Sequence, residues 1–477
     1  MPFSHAFHPA TDHTRLGKLF YDAVEPASFP AHILRYRNNR AAATVGMDTL
    51  TDEEWIDHFG RFTPLPGSLP HPLALRYHGH QFRQYNPDLG DGRGFLFAQL
   101  RDDKGRLLDL GTKGSGRTPW SRGGDGRLTL KGGVREILAA SMLEALGVET
   151  SRALSLIETG ENLERHDEPS PTRSAVLVRL SHSHIRIGTF QRLAANAETD
   201  AIGQLVAYVL ETYYPQLGVP AEGEAALTLF KAVCQNVARV GAQWMAAGFV
   251  HGVLNTDNIA ITGESFDYGP WRFLPRFDQN FTAAYFDQTG LYSYGRQPGA
   301  LLWNLARLAE CLLEFCSHEA LTGALSDFPE LYETALDAAW CRRLGVMQEN
   351  PEADRAFRHA VTLFMETSGI PFHCLPFDWY GGGISAQRAL ASDRAHFYND
   401  PSFSDARKAL EARRPLPGLS LDHPYFAGGV PCNMLITTVE DLWTSLNDRN
   451  DWQALDRKLA EIDLMADALG TRESLSD

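Results

Sequence analysis

The sequence predicts an α+β fold of two lobes, a β-rich N-terminal lobe and a mainly helical C-terminal lobe, with an extension at each end. Three observations predict it. Short apolar runs with strand alternation, punctuated by glycine turns, fill residues 77–193; apolar residues at helical spacing dominate beyond 194; and a loop dense in carboxylate and amide side chains, residues 251–269, follows one such helical stretch. The chain accordingly divides into an N-terminal extension at 1–76, a β-rich lobe at 77–193, a helical lobe at 194–414 and a helical C-terminal extension at 415–477. A length of 477 residues is ample for this organisation.

Composition narrows the function classes. Charged residues at 22% and hydrophobic residues at 44% are globular values, so wholesale disorder is not expected. A formal net charge of −15 argues against nucleic acid as a partner, since such partners are held by Lys and Arg that displace phosphate counterions, but leaves room for a local basic pocket. The first residues lack the basic-then-apolar layout of a secretory signal, and no apolar run is long enough to span a membrane. Six cysteines are scattered without a CxxC pair, which suits a reduced, cytoplasmic setting.

The N-terminal extension reads as an arm wrapped on the β-rich lobe. Thr51 with Glu54 resembles a capping box opening a short helix through Trp55 and Phe59, and Pro64, Pro66, Pro70 and Pro72 then break regular structure. Next, the GDGRG turn at 90–94 precedes the strand-like FLFAQL. Its glycines permit close backbone approach and Arg93 offers a fork of donors, so a phosphate loop and a plain hairpin turn both remain open. Lys113 closes the strand-like LLDLGTK, the GGDGR segment at 123–127 makes a second glycine turn, and Val134, Leu138, Met142 and Ala145 mark a helix that stops at Gly147. Glu136 falls in the first turn of that helix, where a carboxylate can meet a strand lysine and fix it on nucleotide phosphates.

Alternation over 175–180 sends Val176, Val178 and Leu180 to one face of a strand and Leu177 and Arg179 to the other. Arg179 and Arg186 then require an anion, either a carboxylate of this protein or a ligand. His78, His80, His182 and His184 lack further ligands at metal-binding spacing. An inter-lobe connection is expected near 194–200. Beyond it, Leu227, Phe230, Cys234, Val237 and Trp244 define one helix face, and Leu301, Leu305, Leu308, Leu312 and Phe315 another, both read as core.

The helix ending near Gly248 leads into HGVLNTDNIAITGESFDYG, residues 251–269, which resembles the H-R-D-x-x-x-x-N and D-F-G region of a protein kinase. Aligning His251 with the kinase histidine puts Asn258 and Asp267 at the metal-holding positions and Val253 at the base position. Valine accepts no proton, and Asp257 is the one carboxylate in the loop close enough to replace it. One carboxylate and one amide carbonyl, with nucleotide phosphates, suffice for a hard divalent cation such as Mg2+.

Four ordered blocks, YHGHQFRQYNPDLGDGRGFLFAQL, DLGTKGSGRTPWSRGGDGRLTLKGGVREIL, VRLSHSHIRIGTFQ and HGVLNTDNIAITGESFDYGP, together resemble the selenoprotein O (SelO/YdiU) family of kinase-like protein adenylyltransferases. The resemblance runs from about residue 77 to 270 and implies a bilobal protein-kinase-like fold. It implies ATP held upside down relative to a kinase, so that AMP is transferred to protein hydroxyls with Mg2+, or Mn2+, as cofactor. Carried over by position, Gly90, Gly92, Arg93, Lys113, Asp125, Gly126, Arg179 and Arg186 match nucleotide-binding residues, and Asp257 matches the proton acceptor. Asn258 and Asp267 match the metal ligands, and Glu136 the partner of Lys113. Some family members carry a redox-active Cys or selenocysteine at the end of the chain; here the sequence ends TRESLSD, and a redox switch is not carried over.

The leading expectation is therefore AMP transfer from ATP to Ser, Thr or Tyr hydroxyls of protein substrates, with neither nucleic acid nor membrane as partner. UMP transfer with Mn2+, a phosphotransferase and a non-catalytic ATP-binding scaffold are the alternatives. Retention of Asp257, Asn258 and Asp267 together counts against the scaffold, which needs neither a base nor a metal cage.

Overall fold

A computed structural model describes residues 2–166 and 168–471, so the final part of the expected C-terminal extension, from 472 onward, lies outside the described residues. The fold is mixed α+β, β-rich toward the N-terminus and mainly helical after residue 187. Nine strands make one sheet, ordered Tyr21–Ala23, Leu73–Leu75, Leu96–Arg101, Leu107–Lys113, Thr172–Ser181, Arg152–Leu163, Ile33–Arg37, with His8–Ala10 beside Leu96–Arg101 and Leu128–Thr129 beside Thr172–Ser181. All of these pairings are antiparallel.

Both sheet faces are covered, and the pleat decides what each strand residue meets. Val176, Val178 and Leu180 join Trp55, Phe59, Phe95 and Phe97 in a core under the N-terminal arm. Ala175 and Leu177 face the other way, into the main core with Leu138 and Leu156, and Arg179 shares their parity at 5% exposure. The predicted alternation is thus observed. So is the capping box: the Thr51 hydroxyl accepts from the Glu54 N–H, and the Glu54 carboxylate accepts from the Thr51 N–H.

The helix behind the sheet runs Leu130–Ala145, its N-terminus capped by Thr129, whose hydroxyl accepts from the Gly132 N–H. It begins earlier than Val134, so Glu136 lies in the second turn rather than the first. Gly133 lets the sheet approach, since a Cβ there would stand 2.4 Å from a Leu156 methyl. The expected connection near 194–200 is two helices, Ile187–Ala195 and Thr199–Tyr213, joined by residues 196–198.

The long helix Ala225–Ala247 ends on Gly248 in the left-handed region and feeds the strand Phe249–His251, which pairs antiparallel with Trp271–Phe273. These two strands clamp both ends of the 252–270 loop. Backbone hydrogen bonds from Ile187 to Ile259, Ile261 to Ile185 and Ser151 to Ser265 tie the loop to the β-rich half, so its side chains are presented where the two halves meet. Among the described residues, no helix is long and apolar enough to cross a membrane.

Candidate active site

Lys113 ends a central strand with its ammonium 2.5 Å from Glu136 Oε1 and 2.5 Å from Asp267 Oδ1. Behind it, Arg179 Nη1 stands 3.9 Å from Glu136 Oε2 and 3.7 Å from Asp267 Oδ1. Two cations and two carboxylates therefore share one buried space, which is what burial of charge demands. The Tyr268 N–H donates to Glu136 Oε2 at 3.3 Å, fixing the helix carboxylate from the loop side. Asp267 adopts φ +61°, a left-handed conformation uncommon for a residue other than glycine, and keeps 24% of its side chain exposed. Burial alone would push its carboxyl up, but Lys113, Arg179 and Arg186 hold it well below the usual carboxylate range.

Asp257 is on a single helical turn, Thr256–Asn258, and is buried at 8% exposure with Oδ1 lacking any hydrogen-bond partner. Burial pushes its carboxyl up to about 6; Arg186 opposes the shift, Asp267 adds to it and Arg122 opposes it more weakly. Arg186 reaches the Asp257 backbone oxygen at 3.1 Å with Nη1 and Asp91 Oδ1 at 3.2 Å with Nη2. Its guanidinium lies between the rings of Tyr77, at 4.3 Å, and Phe266, at 5.0 Å. Asn258 Nδ2 donates to the Val253 carbonyl at 2.9 Å, leaving the amide oxygen as a donor to a cation. His251 is buried and its ring is pushed down to about 4 by burial, so it is neutral at physiological pH and accepts from the Val253 N–H at 3.2 Å.

The 90–94 turn packs on residues 118–121, just ahead of the second glycine turn. A Cβ on Gly90 would stand 2.4 Å from the Trp120 ring, and one on Gly92 2.8 Å from the Trp120 carbonyl oxygen. The Thr118 and Ser121 hydroxyls donate to the Asp91 and Gly92 carbonyls. Gly126, at φ +71°, would drive a Cβ to 2.3 Å from the Gly116 backbone. Arg93 is exposed. The Asp125 carboxylate is engaged by Arg165 at 2.8 Å and by the Arg127 N–H at 2.9 Å.

The structure thus brings together Lys113, Glu136, Arg179, Arg186, Asp257, Asn258 and Asp267. The turn bearing Gly90, Gly92 and Arg93 is linked to them through Asp91 and Arg186, whereas Asp125 faces Arg165 and Gly126 serves a close backbone crossing. Asp91, Tyr77, Phe266 and Arg122 were not singled out in the sequence. All four lie inside the quoted blocks, and Asp91 lies within GDGRG itself. Both strand-associated arginines meet carboxylates of this protein, as their burial requires.

Hydrogen bonds occupy His78 and His80, whereas both ring nitrogens of the buried His184 lack a hydrogen-bond partner. His80 meets Gln191 at 2.7 Å, His78 meets the Tyr85 hydroxyl at 2.5 Å, and His184 stands 3.5 Å from Asp109. Among the described residues no group of three His, Cys, Asp or Glu side chains could hold a metal, so any metal in the cleft draws few protein ligands. The Asn258 amide oxygen and the Asp267 carboxylate are hard oxygen donors that fit Mg2+ or Mn2+, with phosphate and water completing the shell.

Against known families, the model described as "Protein adenylyltransferase SelO" matches residues 3–378. A protein of Synechocystis sp. named "Protein nucleotidyltransferase YdiU" is 52% identical over 343 residues, covering 71% of each chain. A protein of the same name from Gloeobacter violaceus is 44% identical over 451 residues, covering 92% of this chain and 91% of its own. One from Synechococcus elongatus is 53% identical over 350 residues, or 72% of this chain and 68% of its own.

Proposed function

The chain belongs to the SelO family of protein nucleotidyltransferases, and from that premise we propose that it transfers AMP from ATP to Ser, Thr or Tyr hydroxyls of proteins. The observation that carries this reading is the Asp257 carboxylate: buried, without a partner on Oδ1, raised to about 6, and beside the Lys113–Asp267–Arg179 cluster. A base tuned toward neutrality adjacent to a phosphate-binding cationic cluster suits in-line attack by a neutral hydroxyl.

Asp257 accepts the proton of the acceptor hydroxyl as its oxygen attacks the α-phosphorus. The bond from that phosphorus to the bridging oxygen of the β-phosphate breaks, and pyrophosphate leaves with the electron pair. Lys113, Arg179 and Arg186, with Arg93 at the cleft edge, meet the charge on the phosphates. Glu136 positions Lys113 through their 2.5 Å contact. Asn258 and Asp267 would hold Mg2+, which when bound neutralises phosphate oxygens and polarises the reacting phosphorus. Gly90, Gly92 and Gly126 shape the turns that flank the nucleotide, and Asp125 acts on it through the position of Arg127 and the second turn. We place the reaction in the cytoplasm, the setting that the scattered, unbridged cysteines suit.

Intact-mass spectrometry of the protein with a generic acceptor, ATP and Mg2+ tests the reading. A gain of one AMP, lost in Asp257→Ala and Asp267→Ala, is expected. A gain of one phosphate would replace it with kinase chemistry, and a gain of UMP from UTP with Mn2+ but no AMP from ATP would change the nucleotide.

A further inference from the structure

The helix Leu130–Ala145 turns Glu136 inward to Lys113, but on another face it presents Lys131 and Arg135, four residues apart and therefore neighbours. The strand after the active-site loop, Trp271–Phe273, adds Arg272. Arg135 Nη2 donates to the Trp271 carbonyl at 3.2 Å and Arg272 Nη1 donates to the same oxygen at 2.9 Å. Two guanidiniums that share one carbonyl oxygen are necessarily close. Arg135 also lies 4.8 Å from the Trp271 ring centroid, which holds it in place.

Among the described residues, one acid forms a salt bridge with any of these three cations. Glu440, from the helix Ile436–Arg449, meets Lys131 at 2.7 Å with 44% of its side chain exposed. Among the described residues, neither arginine is in an ion pair with a carboxylate. Burial and the charge of Arg272 lower the Arg135 guanidinium to about 10, and burial lowers Arg272 too. In a chain of net charge −15, two half-buried guanidiniums pressed together, with the charge of Glu440 reaching both but no carboxylate in salt-bridge contact with either among the described residues, mark a place prepared for an anion.

We propose that Lys131, Arg135 and Arg272 form a phosphoryl-binding site separate from the nucleotide cleft, with Glu440 as an internal counter-ion that competes with the incoming anion. Guanidinium forks match phosphate oxygens, and the ring under Arg135 pre-orients one of them. A phosphoryl group seated there braces the helix that carries Glu136 against the strand that follows Asp267, and so steadies Lys113. This consequence rests on the adenylyl-transfer reading; the binding does not.

Equilibrium dialysis of the full chain with labelled inorganic phosphate, in the presence of saturating α,β-methylene-ATP to fill the nucleotide cleft, tests the site. One bound phosphate is expected. Arg272→Gln and Arg135→Gln should each weaken it about tenfold, and Glu440→Gln should tighten it about threefold. The gain in Glu440→Gln remains readable if an arginine variant folds poorly. Phosphate binding abolished by the nucleotide analogue, or unchanged in both arginine variants, overturns the site, and Glu440→Gln binding no tighter overturns the counter-ion. A phosphoserine peptide binding more tightly than phosphate at this site would assign the phosphoryl group to a protein side chain, and equal binding would assign it to the free anion.

Discussion

Asp257 and Asp267 share one loop, ten residues apart, yet the protein drives their carboxyl groups in opposite directions. Asp267 is surrounded by Lys113, Arg179 and Arg186, which hold its carboxyl well below the usual carboxylate range against the opposing effect of burial. Asp257 has its backbone, not its carboxylate, against Arg186, so burial dominates and the group sits near 6. The lesson is one of placement. Cations aimed at one carboxylate make it a permanent anion suited to holding a metal, and the same cations displaced to a neighbouring backbone oxygen leave the second able to exchange a proton.

The largest expected effect breaks the comparison at its anionic end. Asp267→Ala should lower nucleotidyl transfer by about 10³ or more, because it removes the proposed metal ligand and leaves Lys113 with Glu136 alone. Intact-mass assay measures the transfer. A loss no greater than about tenfold would deny Asp267 its metal.

Asp257→Asn should lower transfer by about 10²–10⁴ while nucleotide binding persists. Its stability effect has the opposite sign. A carboxyl raised from 3.8 to about 6 in the fold binds its proton more tightly folded than unfolded, so it opposes folding once ionised: stability is lost as pH rises through about 4 to 6. The amide variant escapes that loss, by up to ~3 kcal/mol at pH 8 and by nothing below pH 4. Thermal melts across pH check this, and transfer by the unsubstituted protein should fall as pH drops below about 6. Equal melting temperatures at pH 8 would remove the burial account of Asp257.

An intermediate effect sharpens the contrast from the lysine side. Glu136→Gln keeps the shape but loosens Lys113, and a misplaced phosphate-binding cation should lower transfer by about 10–100-fold. The unsubstituted dependence below pH 6 should persist, since Asp257 does not lean on Glu136. Pre-steady-state rates at several pH values separate the two, and loss of the acid limb in this variant would merge the two carboxylates into one titrating unit.

Which parts of this were legible follows from the range of each signal. Alternation told the inner face of the 172–181 strand from the outer and placed Arg179 inward beside the site, and spacing revealed the Thr51 capping box, because both are local. The pairing of Lys113 with Glu136, 23 residues apart, was legible only because a motif spans it. Asp91 on Arg186 and Arg165 on Asp125 join segments 95 and 40 residues apart that no period connects. Glycine in the sequence signals freedom to approach phosphate; at Gly90 and Gly126 its lack of a Cβ is also spent on the Trp120 ring and the Gly116 backbone, a contact that composition cannot anticipate. The same distance hides not the C-terminal helix, which the sequence predicts, but its contact, Glu440 reaching Lys131 across 309 residues.

The smallest effect isolates the Asp257 side alone. Arg122 is exposed, stands at φ +49° just before the second glycine turn and lowers the Asp257 carboxyl only weakly, without touching the Asp267 cluster. Charge at the surface is screened, so Arg122→Ala should move the acid limb of the transfer rate upward by no more than a few tenths of a pH unit. Salt near 1 M should bring the unsubstituted protein to the same position, since a Debye length of about 3 Å silences a solvent-exposed partner but not a buried one. A shift in Arg122→Ala that survives high salt would mean that Arg122 folds inward over Asp257 during the reaction, and the protonatable end of the loop would then be set by the glycine turn as well as by burial.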